Sequence, residues 1–307
     1  MHTAKSPVSI ESRGLRYLFS AGSLTFILAV VLIVYLYVRG RDTALATFVA
    51  QVELAGADVV VGGNGLIPDP TVAGGGHNGL IGGVFIRRSD ADITSIAQAL
   101  AHAPGRVAVN FMRIQVTDDH IRALASQQNA ALFMFGGCTF EADALAPLAE
   151  AGHVSFVIFA ITNVDSALLR HLPRSLELLS LLSCDIQSLD FGDGGSRTVS
   201  ALDLTGSTLS RHAWGELSRV PELQRVVYDG TRGPGETLTE DELEAIASVP
   251  ELRALSLRLR PVPKDILMRA GSRMRHLELL ILTDPYFSRD DAEALRRLFP
   301  DIRIELF

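Results

Sequence analysis

The feature that most restricts this chain is a short apolar hexad, L-x-x-L-x-L in its fullest form, that recurs at nearly constant spacing. Hexads begin at Ile81, Arg106, Ala130, Val154, Leu176, Val199, Leu223, Leu252, Leu277 and Ile302. Successive starts lie 25, 24, 24, 22, 23, 24, 29, 25 and 25 residues apart, so only the step from Leu223 to Leu252 is irregular. That step holds an insertion over residues 230–235, GTRGPG. The fullest copies are LELLSL (176–181), VSALDL (199–204), LRALSL (252–257) and LELLIL (277–282). A period in this range is the mark of a repeat architecture, because each copy is one supersecondary unit that cannot bury its apolar face alone.

Every unit continues in the same order. Eight residues after the hexad start stands a small hydrogen-bonding side chain or thiol: Ser89, Cys138, Thr162, Cys184, Ser207 and Thr231. Ten residues after it an apolar residue returns, as in Val116, Phe140, Val164, Ile186, Leu209, Val262 and Phe287. Helix starts follow. Thr239-Glu240-Asp241-Glu242 reads as a capping box and Ser288-Arg289-Asp290-Asp291 as its near relative, with apolar residues at helical spacing behind them. A Pro-x-apolar turn such as Pro250-Glu251-Leu252 leads into the next strand. One unit is therefore strand, corner, helix and return, and the units stack as parallel strands. An open doubly wound sheet would also alternate strands and helices, but it predicts neither the constant register nor the fixed small residue after each strand.

These hexads, with Cys138 and Cys184 at the ninth position, resemble the L-x-x-L-x-L-x-x-N/C-x-L pattern of leucine-rich repeats. The helix starts Val116-Thr117-Asp118-Asp119 and Leu238-Thr239-Glu240-Asp241 resemble the bacterial version of that family. The likeness covers residues 81–307. It implies an α/β solenoid with helices on the convex side, a binding platform without enzyme activity, and a bacterial protein carried by an N-terminal anchor. Three units depart from the pattern, with Ile114, Arg260 and Pro285 at the ninth position, which would interrupt a ladder of side chains bonded to the backbone. The unit from Leu176 shows no clear helix and runs instead into Gly192-Asp193-Gly194-Gly195.

Before the repeats, residues 17–38 carry no charge until Arg39 and are long enough for the ~30 Å hydrocarbon layer at 1.5 Å per residue. A cleaved signal peptide and a buried core helix compete for this segment. The stretch exceeds the usual signal core, and Arg39, Arg41 and Asp42 make a poor cleavage junction. The expected order is a short tail (1–16), a transmembrane anchor (17–38), a cap segment with a Gly-rich loop (39–80) and the solenoid (81–307). Lys5, Arg13 and Arg16 precede the span, against Arg39 and Arg41 after it, which favours a single-pass membrane protein with its large C-terminal part outside the cytoplasm. Leu45, Phe48, Val49 and Val52 share one helical face and, with the strand-like run at residues 58–61, predict a lid for the first repeat.

Net charge −7 and the lack of a basic stripe exclude a nucleic-acid partner. The two cysteines lie two repeats apart, ~9–10 Å between stacked strands, too far for a disulfide. The scattered histidines show no ligand spacing, so no metal and no small-molecule cofactor is implied. The informative surface is the face of the sheet opposite the hexad leucines, formed by the third, fifth and seventh residues of each unit. In the middle repeats these read Met112, Leu132, Met134, Phe156, Ile158, Leu178 and Leu182, apolar where a solvated face would be polar. Toward the C-terminus they become Asp203, Thr205, Arg225, Asp229, Ser256 and Arg258. The apolar band is the candidate contact site for a protein partner or a second copy, unless the cap or the Gly-rich loop folds over it. The chain reads as an interaction or scaffold module. The alternative is a sensor or enzyme-associated domain with a site in the loop 62–79 or the insertion 230–235.

Overall fold

The structure, a computed structural model, describes residues 40, 42–61, 80–192, 197–230, 237–282 and 289–306. The chain divides into two units, Met1–Thr47 and Phe48–Phe307. In the first, residues 42–47 are helical and the Thr47 hydroxyl donates to the Thr43 carbonyl at 3.0 Å. The expected tail and anchor, residues 1–38, lie outside the described residues. Among the described residues no helix is long and apolar enough to cross a membrane.

The second unit opens with helical residues 48–54 (α1), which bury Phe48 and Val52. The helix stops at Gly56, whose φ of +85° lets the Ala57 N–H reach back to the Val52 carbonyl at 3.2 Å while the Gly56 N–H bonds that of Glu53 at 3.0 Å. This left-handed closure satisfies two orphan carbonyls and would strain any residue with a Cβ. The chain turns directly into β1 (Asp58–Val61).

The remaining strands of the main sheet are β2 (Leu80–Ile86), β3 (Arg106–Met112), β4 (Ala130–Gly136), β5 (Phe156–Ala160), β6 (Ser175–Leu182), β7 (Thr198–Asp203), β8 (Arg225–Val227), β9 (Ala254–Ser256), β10 (Leu279–Leu282) and β11 (Arg303–Leu306). They lie side by side in chain order in one 11-stranded sheet. The lid strand β1 pairs antiparallel with β2, and every later pair is parallel. On the other side run α2 (Ile93–Ala101), α3 (Asp118–Ala125), a 3-10 turn (Ala146–Glu150), α4 (Ser166–Leu169), α5 (Arg211–Glu216), α6 (Glu240–Ala247), α7 (Lys264–Gly271) and α8 (Arg289–Leu298). This is the stacked α/β arrangement that the periodicity predicts and that the resemblance to leucine-rich repeats implies.

Partner by partner, the fourth hexad position forms one continuous ladder: Val84, Val109, Phe133, Val157, Leu179, Leu202, Val226, Leu255, Leu280 and Ile304. All ten are buried. Eight of the nine sequence spacings agree with this register. The last does not: Leu280 pairs with Ile304 and Leu282 with Leu306, so the final hexad starts at Asp301 rather than Ile302. Strand side chains alternate, and starting at Ile302 would have turned Glu305 inward and Ile304 out.

The sixth position builds an aromatic spine. Phe135 stacks between Phe111 and Phe159, with ring centroids 5.5 and 5.3 Å away, and Phe140 meets it edge-on at 5.4 Å. Burying each such side chain is worth roughly 1.5–3 kcal/mol, gained only when a neighbouring repeat supplies the other half of the layer.

The corners follow a rule that the hexads do not announce. The eighth residue of six units has positive φ: Arg113 (55°), Gly137 (60°), Ile161 (56°), Ser183 (51°), Gly206 (69°) and Leu259 (57°). This turns the chain so that the ninth side chain points back along the stack. Cys138 Sγ donates to the Phe111 carbonyl at 3.4 Å and Cys184 Sγ to that of Phe159 at 3.5 Å, while Ser207 Oγ bonds the Leu181 carbonyl. Each acceptor is the sixth residue of the preceding unit. Thr162 bends instead to the Ala160 carbonyl of its own unit at 3.2 Å. The ladder breaks at Ile114, which has no donor, and at Arg260, whose guanidinium lies 3.7 Å from the Tyr228 ring centroid and whose buried Nε has no partner. Pro285 lies outside the described residues.

Caps sit where the helix starts predict them. Thr239 and Glu242 form a reciprocal capping box, and Thr117 forms another with His120. Among its described residues the unit from Leu176 has no helix of its own. Glu216 of α5 supplies the missing partner, accepting from the Leu189 N–H at 2.7 Å and from Ser188 Oγ at 3.0 Å.

Candidate functional site

With the fourth and sixth residues turned toward the helices, the third, fifth and seventh occupy the opposite face of the sheet. The third-position row runs Gly83, Ala108, Leu132, Phe156, Leu178, Ala201, Arg225, Ala254, Leu279, Arg303 across ten strands. Its first part forms a second apolar cluster: Ala108, Leu132, Phe156, Ile158, Leu178 and Ala201, with Leu80, Met134 and Leu182 packed against it. Six of the seven contact residues named from the sequence are therefore brought together. The seventh, Met112, lies over Gly136, where a Cβ would come within 2.7 Å of its Sδ. Leu132, Phe156, Ile158 and Leu178 are buried, whereas Met112, Met134 and Leu182 are half-buried. The Arg106 guanidinium covers the Phe156 ring at 5.9 Å.

The row does not end with the cluster. It continues into a groove of ≈ 470 Å³ over β5 to β10, with Phe156, Leu178, Ala201, Arg225, Ala254 and Leu279 along its floor. The second-position residues Glu177, Ser200, Gln224, Arg253 and Glu278 make its wall. Arg253 and Glu278 pair across the wall at 2.9 Å. Arg225 is half-buried between Ala201 and Ala254, its register partners on either side. Among the described residues neither Arg225 nor Glu177 has an ion-pair or side-chain hydrogen-bond partner.

Nearer the strand ends the same face is polar. Asp203 accepts from Thr205 Oγ1 at 2.6 Å, from the Thr205 N–H at 2.9 Å and from Ser180 Oγ at 3.1 Å. Asp229 accepts from Ser256 Oγ and the Arg258 N–H, both at 2.7 Å, and from Arg258 Nε at 2.8 Å. Burial pushes the Asp203 carboxyl above the usual carboxylate range, with the charge of Asp229 acting the same way against the hydrogen bonds it accepts. Both carboxylates have their partners inside the sheet face, which makes them structural braces between adjacent repeats.

The two thiols are buried and free, and desolvation raises the pKa of both. A thiol held neutral in this way is a poor nucleophile and serves here as a hydrogen-bond donor. No group of three or more His, Cys, Asp or Glu residues that could hold a metal occurs among the described residues. The loop 62–79 and residues 231–235 of the insertion, the alternative sites, lie outside the described residues. Gly230, the first residue of the insertion, packs so closely that a Cβ there would lie 2.3 Å from the Leu259 carbonyl oxygen.

Sequence reasoning located the face and its apolar band but not the groove. Arg225 was legible only as one polar residue among several. Its isolation depends on which residues of β7 and β9 stand beside it, and that is a matter of register.

No protein-family model matches the chain, and no curated protein does. Among solved structures the chain is similar to a leucine-rich-repeat protein of Leptospira interrogans, with 14% identity and a TM-score of 0.38 over 70% of this chain and 62% of that one. It is also similar to an internalin from Listeria monocytogenes, with 9% identity and a TM-score of 0.27 over 73% of this chain and 82% of that one. This chain thus spans less than two-thirds of the Leptospira protein's length. The assignment of the fold rests on the strand and side-chain ladders above.

Proposed function

We propose that this protein is an interaction or scaffold module that takes a protein partner on the open face of its sheet. The observation that carries this reading is the continuity of that face. An apolar cluster built from Leu132, Phe156, Ile158, Leu178 and their neighbours passes without a break into the groove over β5 to β10. The cluster itself is buried and underlies the face, so the accessible part of the contact surface is the groove, where the half-buried Ala254 and Leu279 on the floor are rimmed by the polar residues of the wall. The half-buried Met112, Met134 and Leu182 extend the contact toward the strand ends, where their flexible or branched side chains can adapt to a partner.

The apolar run 17–38 is proposed to act as an uncleaved single-pass anchor that leaves the repeats outside the cytoplasm. Protection of the repeats from protease added to intact cells would overturn that orientation.

A photo-crosslinking side chain placed at Gln224 on the groove wall tests the contact face, with the same side chain at exposed Gln98 on α2 as the comparison. Crosslinking in intact membranes followed by mass spectrometry should give a discrete protein adduct from the first position alone. A ladder of the chain's own multiples would identify a second copy as the partner. Equal labelling from both positions, or none from Gln224, would refute a dedicated binding face.

A further inference from the structure

The groove contains two charges that the fold leaves unanswered, and they differ in sign. Glu177 stands on β6 and Arg225 on β8, with Ser200 and Ala201 of β7 between them. Two strand spacings separate their backbones by roughly 10 Å. Among the described residues the two form no ion pair with each other, whereas Arg253 and Glu278 on adjacent strands along the same wall close theirs at 2.9 Å. Arg225 is half-buried, with Ala201 and Ala254 beside it in register, so solvent screens it less than an exposed cation.

We propose that this groove binds an extended peptide segment carrying one carboxylate, which Arg225 grips, and one cationic side chain two to four residues away, which Glu177 meets. The inference rests on the reading of the open face as a protein-contact surface and names the chemistry of what it contacts. Six strands at ~4.8 Å span about 24 Å, the length of roughly seven extended residues at ~3.3 Å each. Apolar side chains of the segment fill the floor at Phe156, Leu178 and Leu279. A nucleic acid is a poor fit, because Arg225 is the single unanswered cation among the described residues lining the groove, and the chain's net charge is −7. The carboxylate grip supplies direction and specificity more than raw affinity, since a charged pair must first shed its water.

The test uses the full chain in detergent and a phage-displayed library of random seven-residue peptides. The wild type should enrich peptides with an acidic and a basic residue at the stated spacing. Arg225→Gln should weaken the enriched peptides by about 10- to 100-fold, the usual loss for a charge-assisted bond. The double variant Glu177→Lys with Arg225→Glu should select the charges in reversed order. Circular dichroism melts of each variant show that it remains folded, and Ala254→Trp, which fills the groove floor, should abolish binding of every enriched peptide. Enriched peptides without a charge pattern, unchanged by Arg225→Gln yet blocked by Ala254→Trp, would overturn this inference and leave the contact face standing. No enrichment, together with no adduct from Gln224, would remove both. No enrichment beside a clear Gln224 adduct would remove the peptide proposal alone.

Discussion

Replacing Ile158 with aspartate separates a buried sheet face from a bare one, and its effect can be worked out beforehand. Ile158 is 5% exposed, lies between Met134 and Ser180 in register, and belongs to the open-face cluster. Ile158→Asp removes about 1.5–3 kcal/mol of apolar burial. A carboxyl forced to stay protonated at pH 7, some three units above its ordinary pKa near 3.9, costs about 4 kcal/mol more. The sum, about 5–7 kcal/mol, rivals the ~5–15 kcal/mol that holds a domain folded. The sign with pH is fixed as well. The new carboxyl would have its folded pKa raised, so the charge penalty is absent below its unfolded value and grows as pH rises toward the folded one. Urea denaturation followed by circular dichroism should therefore show Ile158→Asp largely unfolded at pH 7, with about 4 kcal/mol recovered near pH 4 relative to wild type. Ile158→Asn should show the loss without the recovery. A variant as stable as wild type at pH 7 would mean that this face is open surface and that the cluster contributes nothing to the fold.

Three further perturbations probe other elements. Phe135→Ala empties the centre of the aromatic spine, where the ring is fully buried and touches Phe111, Phe159 and Phe140, and should cost about 3–5 kcal/mol in chemical denaturation; a loss below 1 kcal/mol would be inconsistent with a stacked core. Ile161 holds φ at 56° with a β-branched side chain that is 73% exposed, so Ile161→Asn should raise the unfolding free energy by about 1 kcal/mol in chemical denaturation, and destabilisation would show that its side chain makes a contact worth more than the strain. Because burial raises the Asp203 pKa, its stabilising contribution is complete below the unfolded pKa and is lost as pH rises through the folded one. Asp203→Asn, which keeps an acceptor for Thr205, should raise the pH 7 midpoint and flatten its fall from pH 4 upward, whereas an unchanged slope would assign the fall to other groups.

Much of this molecule can be read along the chain. Strand positions, the order of strand and helix, the capping box at Thr239 and Glu242 and the ninth-position donors Cys138, Cys184 and Ser207 all follow from local spacing. They do so because a side chain's place in a six-residue strand, or a cap's distance from its helix, depends only on its near neighbours in sequence. Other features wait on the stacked repeats. The lid strand runs antiparallel, the last hexad starts one residue early, Glu216 reaches across from the next unit, and residues at positive φ recur at corners where no glycine pattern marks them. The burial of Leu132, Phe156 and Ile158 and the isolation of Arg225 belong to the same class. Each depends on what the neighbouring strands bring alongside, residues 22 to 29 positions away along the chain. Local spacing decides which way a side chain points, but only the stacked sheet decides what it meets there.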